Sequence, residues 1–381
     1  MRKICIVVNS RANYARIKSV LKAVKEHPNL ELLLVVGASA LLYRFGNIVE
    51  IIKQDGFQPS AKLHLVIEGD TPSNMAKSTG LGIIELTSIF ENLKPDIVLT
   101  VADRYETMAT AIAASYMNIP LAHTQGGELT GSIDESVRHA ITKLAHIHFP
   151  ATKDAEKNIL QMGEDSKKVY VTGCPAMDII SEIDTHLSDD FFEKNGGVGY
   201  QINPKEKYIV ILQHPVTTEY EDVKFQIDET LGAIQNLDMQ IVWLWPNVDA
   251  GTDQISQRLR SYRENNKGIK IRFFKNFSAE NYAKLIKNCC CLVGNSSSAI
   301  REGSFLGIPA VNIGSRQDGR EHGENVIHVN YNCLEIKDAV IKQMSKSFPP
   351  NQIFGDGKAG LKIANILAEV DLDISKKFLI K

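Results

Sequence analysis

A glycine- and serine-rich turn in the second half of the chain has the composition of a phosphate-binding loop. The run Gly294-Asn295-Ser296-Ser297-Ser298 follows an apolar segment and precedes a predicted helix. Glycine lets a ligand approach the backbone closely, and the first amides of a helix are unpaired donors that suit a phosphate. A simple helix cap of asparagine and serine accounts for the same residues without a ligand. The run has neither the lysine of an ATPase phosphate loop nor the glycine spacing of a dinucleotide-binding loop, which disfavours both classes.

Three charged or titratable side chains elsewhere suit a nucleotide diphosphate. Glu302 lies one to two turns into the helix predicted after the serine-rich turn. Its carboxylate could accept hydrogen bonds from both ribose hydroxyls, although a solvated surface glutamate is the alternative. Arg11 and His214 each follow the first predicted strand of their half of the chain. Arginine binds phosphate bidentately and histidine donates a single hydrogen bond. A lone histidine is more often structural, but its place in a strand-end turn favours function.

Carboxylates follow two predicted strands in the first half of the chain. Asp103 comes shortly after the strand predicted at Asp96–Val101, and Glu128 and Asp134 lie in a later glycine-rich segment. Several carboxylates at neighbouring strand ends suit the abstraction of a proton next to a sugar leaving group. Capping of the following helix is an alternative role for Asp134, and the two roles are compatible.

The elements that must position these residues are short β-branched strands alternating with helical patterns. In the first half the predicted strands are Lys3–Val8, Glu31–Val36, Asp96–Val101, Ile119–His123, His146–Pro150 and Lys168–Val171. In the second half they are Tyr208–Leu212, Gln240–Trp245, Lys270–Phe274, Cys290–Gly294, Ala310–Ile313 and Val326–Val329. Near-continuous apolar strands joined by crossover helices predict parallel sheets. With the polar stretch Ser181–Pro204 between the two sets, the pattern predicts two doubly wound α/β domains whose strand ends face across a cleft.

Composition disfavours several classes of protein. The 381-residue chain has a net charge of −2, so no basic field attracts nucleic acid or a membrane surface. The apolar run after Met1 is too short for a secretory signal, and no segment has the length of a membrane-spanning helix. The six cysteines lack the spacing of a zinc site and fit buried strand residues in a reducing compartment. We therefore expect a cytoplasmic protein that binds neither nucleic acid nor membranes.

Five segments of the chain carry a family pattern: Gly131–His146, Leu212–Thr218, Pro246–Gly251, Gly294–Ser297 and Arg316–Val326. Together they resemble the hydrolysing UDP-N-acetylglucosamine 2-epimerases of sialic-acid biosynthesis, including the epimerase half of the bifunctional animal enzyme. The likeness spans nearly the whole chain in order. It implies the GT-B-like fold, with a sugar and catalytic Rossmann-like domain at 1–185 and a UDP-binding one at 186–360. A C-terminal helix within 361–381 is then expected to pack back on the first domain.

The resemblance also implies a reaction. UDP is eliminated in anti geometry after removal of the proton at C2, which gives a 2-acetamidoglucal. Water then adds and releases N-acetylmannosamine for sialic or nonulosonic acid biosynthesis, together with free UDP. Neither a metal nor a redox cofactor is implied. The expected partners are a UDP-sugar substrate and further copies of the chain, as a dimer or tetramer.

Site residues carry over from the family position by position. The nucleotide-side positions are Arg11, His214, Asn247, Ser296, Ser297, Glu302 and Arg316, with Phe277 near the uracil loop. The acid–base positions on the sugar side match Asp103 and Asp134. The basic pair beside them, which contacts the sugar or phosphate, matches Arg138 and His139.

Departures from the family pattern fall in the first half of the chain. Asn13 stands where the family often has aspartate, and Ala40 where it often has histidine. Val101-Ala102 replaces the usual His-Gly before Asp103. Loss of these polar side chains suits a sugar with fewer hydroxyls. The alternative substrate is therefore UDP-N,N'-diacetylbacillosamine, on the route to legionaminic acid.

The fourth departure concerns a catalytic position. Gln125 stands where the family usually has glutamate, and glutamine cannot exchange a proton as a carboxylate does. Either Glu128 takes this role, or Asp103 and Asp134 suffice, or the enzyme is impaired. Two further classes therefore stay open: a GT-B glycosyltransferase, which would release UDP only with an acceptor, and an inactive homologue that binds UDP-sugars.

Overall fold

The computed structural model describes residues 1–69, 71–131, 133–235, 237–246, 251–266 and 268–376. The chain divides into two compact units. The first comprises Met1–Leu129, Ile133–Ser181 and Phe354–Lys381, and the second comprises Thr130–Ser132 and Glu182–Ile353.

Strands and helices alternate along both units. The strands are β1 (Arg2–Val8), β2 (Leu30–Gly37), β3 (Ala61–Leu63), β4 (Ile97–Val101), β5 (Leu121–Thr124), β6 (Ile147–Phe149), β7 (Val198–Gly199), β8 (Tyr208–Leu212), β9 (Gln240–Leu244), β10 (Ile271–Phe274), β11 (Cys291–Gly294), β12 (Ala310–Ile313) and β13 (Val326–Val329). The helices are α1 (Arg11–Glu26), α2 (Ile48–Gln54), α3 (Pro72–Leu93), α4 (Tyr105–Tyr116), α5 (Ile133–Leu144), α6 (Lys153–Gln161), α7 (Ala176–Glu182), α8 (Phe191–Lys194), α9 (Val223–Gln235), α10 (Thr252–Asn265), α11 (Ala279–Lys287), α12 (Ser297–Leu306), α13 (Cys333–Met344) and α14 (Ala359–Glu369). Short 3-10 turns occupy Ala38–Leu41, Tyr43–Phe45, Ser166–Lys168, Thr217–Asp222 and Ser315–Gln317.

The sheet of the first unit has the order β3-β2-β1-β4-β5-β6, and every pairing in it is parallel. Successive side chains of a strand point to opposite faces. Ile4 and Ile6 of β1 accordingly enter a core with α1, α2 and α14, whereas Cys5 and Val7 enter a core with α3 and α4. Because all the strands run in one direction, their carboxyl ends meet at one edge of the sheet.

The sheet of the second unit has the order β13-β12-β11-β8-β9-β10-β7. Its pairings are parallel except that of β7, which runs antiparallel to β10. Apolar residues of its central strands and of α9, α10 and α13 form the main core. The turns after β8, β11 and β12 again lie at one edge, because these three strands are neighbours.

The C-terminal helix α14 is held at both ends inside the first unit. At its start, the Asp178 carboxylate accepts hydrogen bonds from the backbone amides of Ala359 and Gly360, at 2.9 and 2.6 Å. At its end, Nη1 of Arg2 donates to the carbonyl oxygens of Leu367 and Val370, at 2.7 and 2.9 Å. These contacts satisfy backbone groups that a helix leaves unpaired at its termini.

The predicted α/β class with two doubly wound parallel sheets is confirmed, but one predicted strand is wrong and two were missed. Residues predicted as the strand Lys168–Val171 form the end of a 3-10 turn and a single bridge between Val169 and His148. The short edge strands β3 and β7 were missed because two or three residues carry too little apolar pattern to be seen. β7 and α8 both lie in the polar stretch read as a connection.

Two further expectations concern the cysteines and membranes. All six cysteines are free thiols, and Cys5 and Cys291 are buried strand residues as expected. Cys290 and Cys333 are only half-buried, and Cys333 begins α13 rather than lying in a strand. Across the described ranges, no helix has the length and apolar character needed to cross a membrane.

Candidate active site

Three strands of the first unit end in residues with unusual backbone conformation. Ala38 follows β2, Ala102 follows β4 and Gln125 follows β5, with φ of 48°, 63° and 61°. The left-handed region costs about 1–2 kcal/mol for a residue with a Cβ, and such strain clusters at functional sites. Reacting groups are therefore expected at this edge of the sheet.

A buried ion pair connects two elements at this edge. Asp103, two residues beyond β4, pairs through its carboxylate with Nη2 of Arg138 in the middle of α5. Nη1 of Arg138 also donates to the carbonyl oxygen of Glu128 at 2.5 Å. Burial lowers the pKa of Arg138, but the charges of Asp103, Glu128 and Asp134 outweigh it and raise the pKa. The guanidinium therefore stays charged and favours the ionised form of its neighbours.

Three predicted carboxylates thus gather around one arginine. Asp103 and Glu128 are buried, whereas Asp134 is partly exposed in the first turn of α5. Asp134 lies four residues before Arg138, which places both on one face of the helix. The arrangement can hold a carboxylate ionised and ready to accept a proton.

Gln125 lies at the same edge but contacts a different neighbour. The side chain is fully buried, and its Nε2 lies 3.6 Å from Sγ of Cys174, which is also buried. A glutamine amide is neutral and does not transfer protons. Gln125 itself therefore cannot serve as a proton-transfer group.

The predicted basic pair on α5 is separated by the geometry of the helix. Arg138 and His139 are adjacent in sequence, so their side chains point about 100° apart around the axis. His139 lies 3.7 Å from Oε1 of Glu135 instead. Burial lowers the pKa of His139, with Glu135 opposing the shift. Arg138 therefore belongs to the carboxylate cluster, and His139 faces the glutamate one turn earlier.

Sequence reasoning missed His123, on β5. Its Nε2 lies 2.7 Å from the carbonyl oxygen of Ala102, and its Nδ1 lies 3.3 Å from Oγ1 of Thr142 on α5. Burial lowers the pKa of His123 to about 3, so the ring is neutral and Nε2 carries the proton that it donates to Ala102. The ring links the turn that carries Asp103 to α5. A histidine inside an apolar strand, just before a glycine-rich turn, was the available signal.

In the second unit, Asn295 joins three strand-end turns. Its Oδ1 accepts from the amide of His214 at 2.7 Å, and its Nδ2 donates to the carbonyl of His214 at 2.8 Å. Its own carbonyl accepts from Nη1 of Arg316 at 3.1 Å and from Nε2 of Gln317 at 2.8 Å. The structure therefore brings His214 and Arg316 to the serine-rich turn, through a residue that sequence reasoning had placed in this turn without a role of its own.

The serine-rich turn leads into the first turn of α12. Gly294 has φ of 124°, and a Cβ there would lie 2.2 Å from the carbonyl oxygen of Leu212, so only glycine fits. Ser296 is the helix cap, and its Oγ accepts from the amide of Ser298 at 3.3 Å. Ser297 is the first residue of the helix. The helix start thus presents small polar side chains and amides, which suit an anion.

The remaining nucleotide candidates lie in different surroundings. Glu302 is half-buried on α12, and Arg11 is the first residue of α1 in the first unit. Phe277 is only 6% exposed. Its ring stacks on Phe191, with centroids 5.8 Å apart, and so belongs to an aromatic cluster. Asn247 lies outside the described residues.

Metal sites in proteins need several donor side chains held close together. Over the part of the chain that the structure describes, no group of three or more histidine, cysteine, aspartate or glutamate side chains is arranged to hold an ion. The charged clusters are instead ion pairs and hydrogen-bonded networks between side chains.

The sequence matches a family model along most of its length. The model, described as UDP-N-acetylglucosamine 2-epimerase, covers residues 22–368. The chain belongs to the UDP-N-acetylglucosamine 2-epimerase family. The resemblance inferred from the five segments is thereby confirmed.

Members of this epimerase family with similar sequences align over nearly their full length. UDP-N,N'-diacetylbacillosamine 2-epimerase (hydrolyzing) of Legionella pneumophila is 32% identical over 373 residues, covering 98% of this chain and 97% of the relative. UDP-N-acetylglucosamine 2-epimerase of Neisseria meningitidis serogroup B is 30% identical over 358 residues, covering 94% and 92%.

A solved structure of an epimerase shares the fold. The UDP-GlcNAc 2-epimerase of Methanocaldococcus jannaschii, in complex with UDP-GlcNAc and UDP, superimposes with a TM-score of 0.80 over 96% of this chain and 99% of the other. The two sequences are 18% identical, so the structural similarity is evidence for the fold alone. It confirms the predicted GT-B-like fold class.

Proposed function

We propose that this chain is a hydrolysing UDP-N-acetylglucosamine 2-epimerase, which releases N-acetylmannosamine and UDP. The observation that carries the proposal is the cluster of Asp103, Glu128 and Asp134 around Arg138, in a member of this epimerase family. Such a cluster offers more than one ionised carboxylate at one strand edge. A reaction with two proton transfers at a single carbon needs that supply.

The first step is an elimination. A carboxylate removes the proton from C2 of the sugar while the bond between C1 and the phosphate oxygen breaks on the opposite face. The electron pair of the C2–H bond forms the C1=C2 double bond, and UDP leaves with the electrons of the C1–O bond. Asp103 and Asp134 are the proposed acid–base pair, with Glu128 as the nearest substitute.

The second step is an addition of water to the 2-acetamidoglucal. The water oxygen bonds to C1, and the water proton passes to a carboxylate. C2 receives a proton from the second carboxyl group of the pair, in its acid form, on the face opposite to the one that lost its proton, which gives the manno configuration. The proton taken up in the first step leaves to solvent. Arg138, whose own pKa is raised, stays charged and favours the return of a protonated carboxyl group to its ionised form.

The strand-end turns of the second unit are the proposed UDP site. Their side chains are His214, Ser296, Ser297, Glu302 and Arg316, and Arg11, Phe277 and Asn247 are assigned by family likeness. Fixed donors that face a leaving phosphate stabilise the charge that develops on it as the C1–O bond breaks. The Asn295 hydrogen bonds support this role, because they fix the backbone of His214 and the side chain of Arg316.

A second candidate substrate is UDP-N,N'-diacetylbacillosamine. Ala40 and Val101 are buried and apolar at the strand edge of the first unit, at positions where the family often has histidine. They suit a sugar with fewer hydroxyls, and the Legionella relative carries this substrate in its name. We propose further that the enzyme is cytoplasmic, which its free cysteines fit, and that it forms a homo-oligomer.

The test is product analysis with both donors, each incubated without an acceptor. Proton NMR identifies the free sugar and an enzymatic assay counts UDP. The proposal expects a free 2-epimerised sugar and equimolar UDP. UDP release that requires an added acceptor would indicate a glycosyltransferase instead. Binding of UDP without turnover, with activity gained by Gln125→Glu, would indicate an inactive homologue.

A further inference from the structure

The segment after α14 returns to the end of α5 through several contacts. Nζ of Lys168 donates to the carbonyl oxygen of Asp371 at 2.7 Å. The His146 side chain, just beyond α5, hydrogen-bonds to the backbone of Ile374. Lys376 then reaches the helix end itself. These contacts connect the segment to the 3-10 turn Ser166–Lys168 and to the connection between α5 and β6.

The ammonium group of Lys376 caps α5. Its Nζ donates to the carbonyl oxygens of Thr142, Lys143 and Ala145, at 3.1, 2.6 and 2.5 Å. The last carbonyls of a helix lack partners within the helix, and a positive charge is favourable at this end of the helix dipole. A residue 234 positions away in sequence thus supplies the cap.

The same ammonium group joins a buried cluster. Oε2 of Glu164 lies 2.7 Å from Nζ of Lys376 and 3.1 Å from Nε2 of His148, and Oε1 lies 2.6 Å from Nζ of Lys143. Burial raises the pKa of Glu164, but the hydrogen bonds from His148, Lys143 and Lys376 outweigh it and lower the pKa to about 2. Glu164 is thus ionised, and its charge holds Lys376 against the helix end.

Helix α5 is the element that carries the carboxylate cluster. Arg138, two turns before the capped end, pairs with Asp103. Thr142, whose carbonyl accepts from Lys376, also contacts His123 through its hydroxyl. His123 in turn donates to Ala102, next to Asp103. A shift of the end of α5 would therefore displace Asp103 in two ways: through its ion pair with Arg138, and through the His123 hydrogen bonds to the adjacent Ala102.

We propose that Lys376 is a positioning residue for the epimerase reaction: by capping α5 it fixes Arg138 and Thr142, and through them Asp103. The inference rests on the proposed function, because an effect on kcat can be measured only if the enzyme turns over. The restraint of α5 by the C-terminal segment can be measured without substrate. Lys376 does not touch the reacting groups, so its effect falls on the rate of the chemical step rather than on UDP binding.

The experiment compares Lys376→Met and Lys376→Arg in the full chain. The methionine keeps the length of the side chain without donors, and the arginine keeps charge and donors. Glu164 retains Lys143 and His148 in both variants, so we expect both to fold. Lys362→Met is the matched control, because this lysine of α14 pairs with the exposed Asp356. kcat, KM, the Kd of UDP, the melting temperature and amide hydrogen exchange are measured for each.

The expected result for Lys376→Met is a kcat lowered about tenfold, since small misplacements of catalytic groups have large effects on rate. KM and the Kd of UDP stay within about twofold, amides of the last turn of α5 exchange faster, and Lys376→Arg recovers most of the rate. An unchanged kcat in Lys376→Met would overturn the proposal. So would a loss of kcat that arginine does not restore, or a parallel loss of UDP binding and melting temperature.

The two proposals fail in different ways. If the unaltered protein releases no UDP from either donor, the proposed function fails, and hydrogen exchange still decides whether Lys376 restrains α5. If the unaltered protein turns over and Lys376→Met does so equally well, only the positioning role fails.

Discussion

Arg138 on α5 and Asp103 beyond β4 form a buried ion pair between residues 35 positions apart in sequence. The pair brings the helix after the glycine-rich turn to the end of a central strand. Two more carboxylates, Glu128 and Asp134, contribute to the charge around the same guanidinium. In the proposed reaction, this cluster supplies the groups that remove and return the C2 proton.

Replacement of the paired carboxylate tests its role in proton transfer. We expect Asp103→Asn to lower kcat by at least about 100-fold, since an amide cannot accept the C2 proton. UDP binding is expected to persist, because the proposed UDP site lies in the other unit. Loss of the ion pair leaves Arg138 with only the charges of Glu128 and Asp134 and destabilises the fold by at most about 3–5 kcal/mol, so kcat must be measured well below the melting temperature. Asp154→Asn, on the exposed start of α6, is the control. Unchanged turnover in Asp103→Asn would remove this residue from the acid–base assignment.

Asp134 offers a cleaner test because it is partly exposed. Asp134→Asn is expected to lower kcat by a factor of about 10²–10⁴ with a small change in stability. Glu135→Gln is the matched control, since this neighbour on α5 pairs with His139. Steady-state kinetics with the preferred donor measure both variants. Equal losses in the two variants would point to the helix start in general rather than to Asp134.

The UDP site is tested by Arg316→Ala. Loss of a charge-assisted hydrogen bond is expected to weaken UDP binding by about 1–3 kcal/mol, measured by titration calorimetry. Arg272→Ala is the control, because this arginine bonds to the carbonyl of Gly196 on the edge of the same sheet. A Kd of UDP that is unchanged in Arg316→Ala would exclude this arginine from the nucleotide site.

Acidification is expected to destabilise the fold through His123. Its pKa is lowered from 6.5 to about 3 by burial, so between these values the unfolded chain binds a proton that the folded chain does not. Stability conferred by the neutral ring is therefore lost as the pH falls, by about 2 kcal/mol at pH 5 relative to high pH.

Urea denaturation at pH 7 and pH 5 measures this loss. The difference between the two pH values should shrink in His123→Gln and persist in the control His64→Gln, which changes an exposed histidine. An equal pH dependence in His123→Gln and the unaltered protein would contradict a buried neutral ring.

The sequence predicted the sheets well because their strands are nearly continuous apolar runs. β8, β12 and β13 begin and end where the pattern placed them. The edge strand β7 was missed because its pairing with β10 depends on a neighbour about 70 residues away rather than on its own pattern. Local composition cannot encode a pairing of this kind.

The candidate site was predictable in its residue types but less so in its contacts. Asp103 was identified from its strand-end position. Its partner Arg138 was expected to act together with His139, but helix geometry separates the Arg138 and His139 side chains. The roles of His123 and Asn295 depend on neighbouring strands and helices that only the fold brings together. The capping role of Lys376 could not be predicted from the sequence for the same reason, because the residues that it contacts lie more than 200 positions away.

The central claim is that the carboxylates around Arg138 exchange the proton at C2 of a UDP-linked 2-acetamido sugar. The most direct measurement is proton NMR of the reaction run in D₂O with UDP-N-acetylglucosamine, and in parallel with UDP-N,N'-diacetylbacillosamine. The account predicts that at least one donor yields UDP and a free 2-epimerised sugar with deuterium at C2. Release of UDP with a sugar that keeps its original configuration and its C2 proton would contradict it.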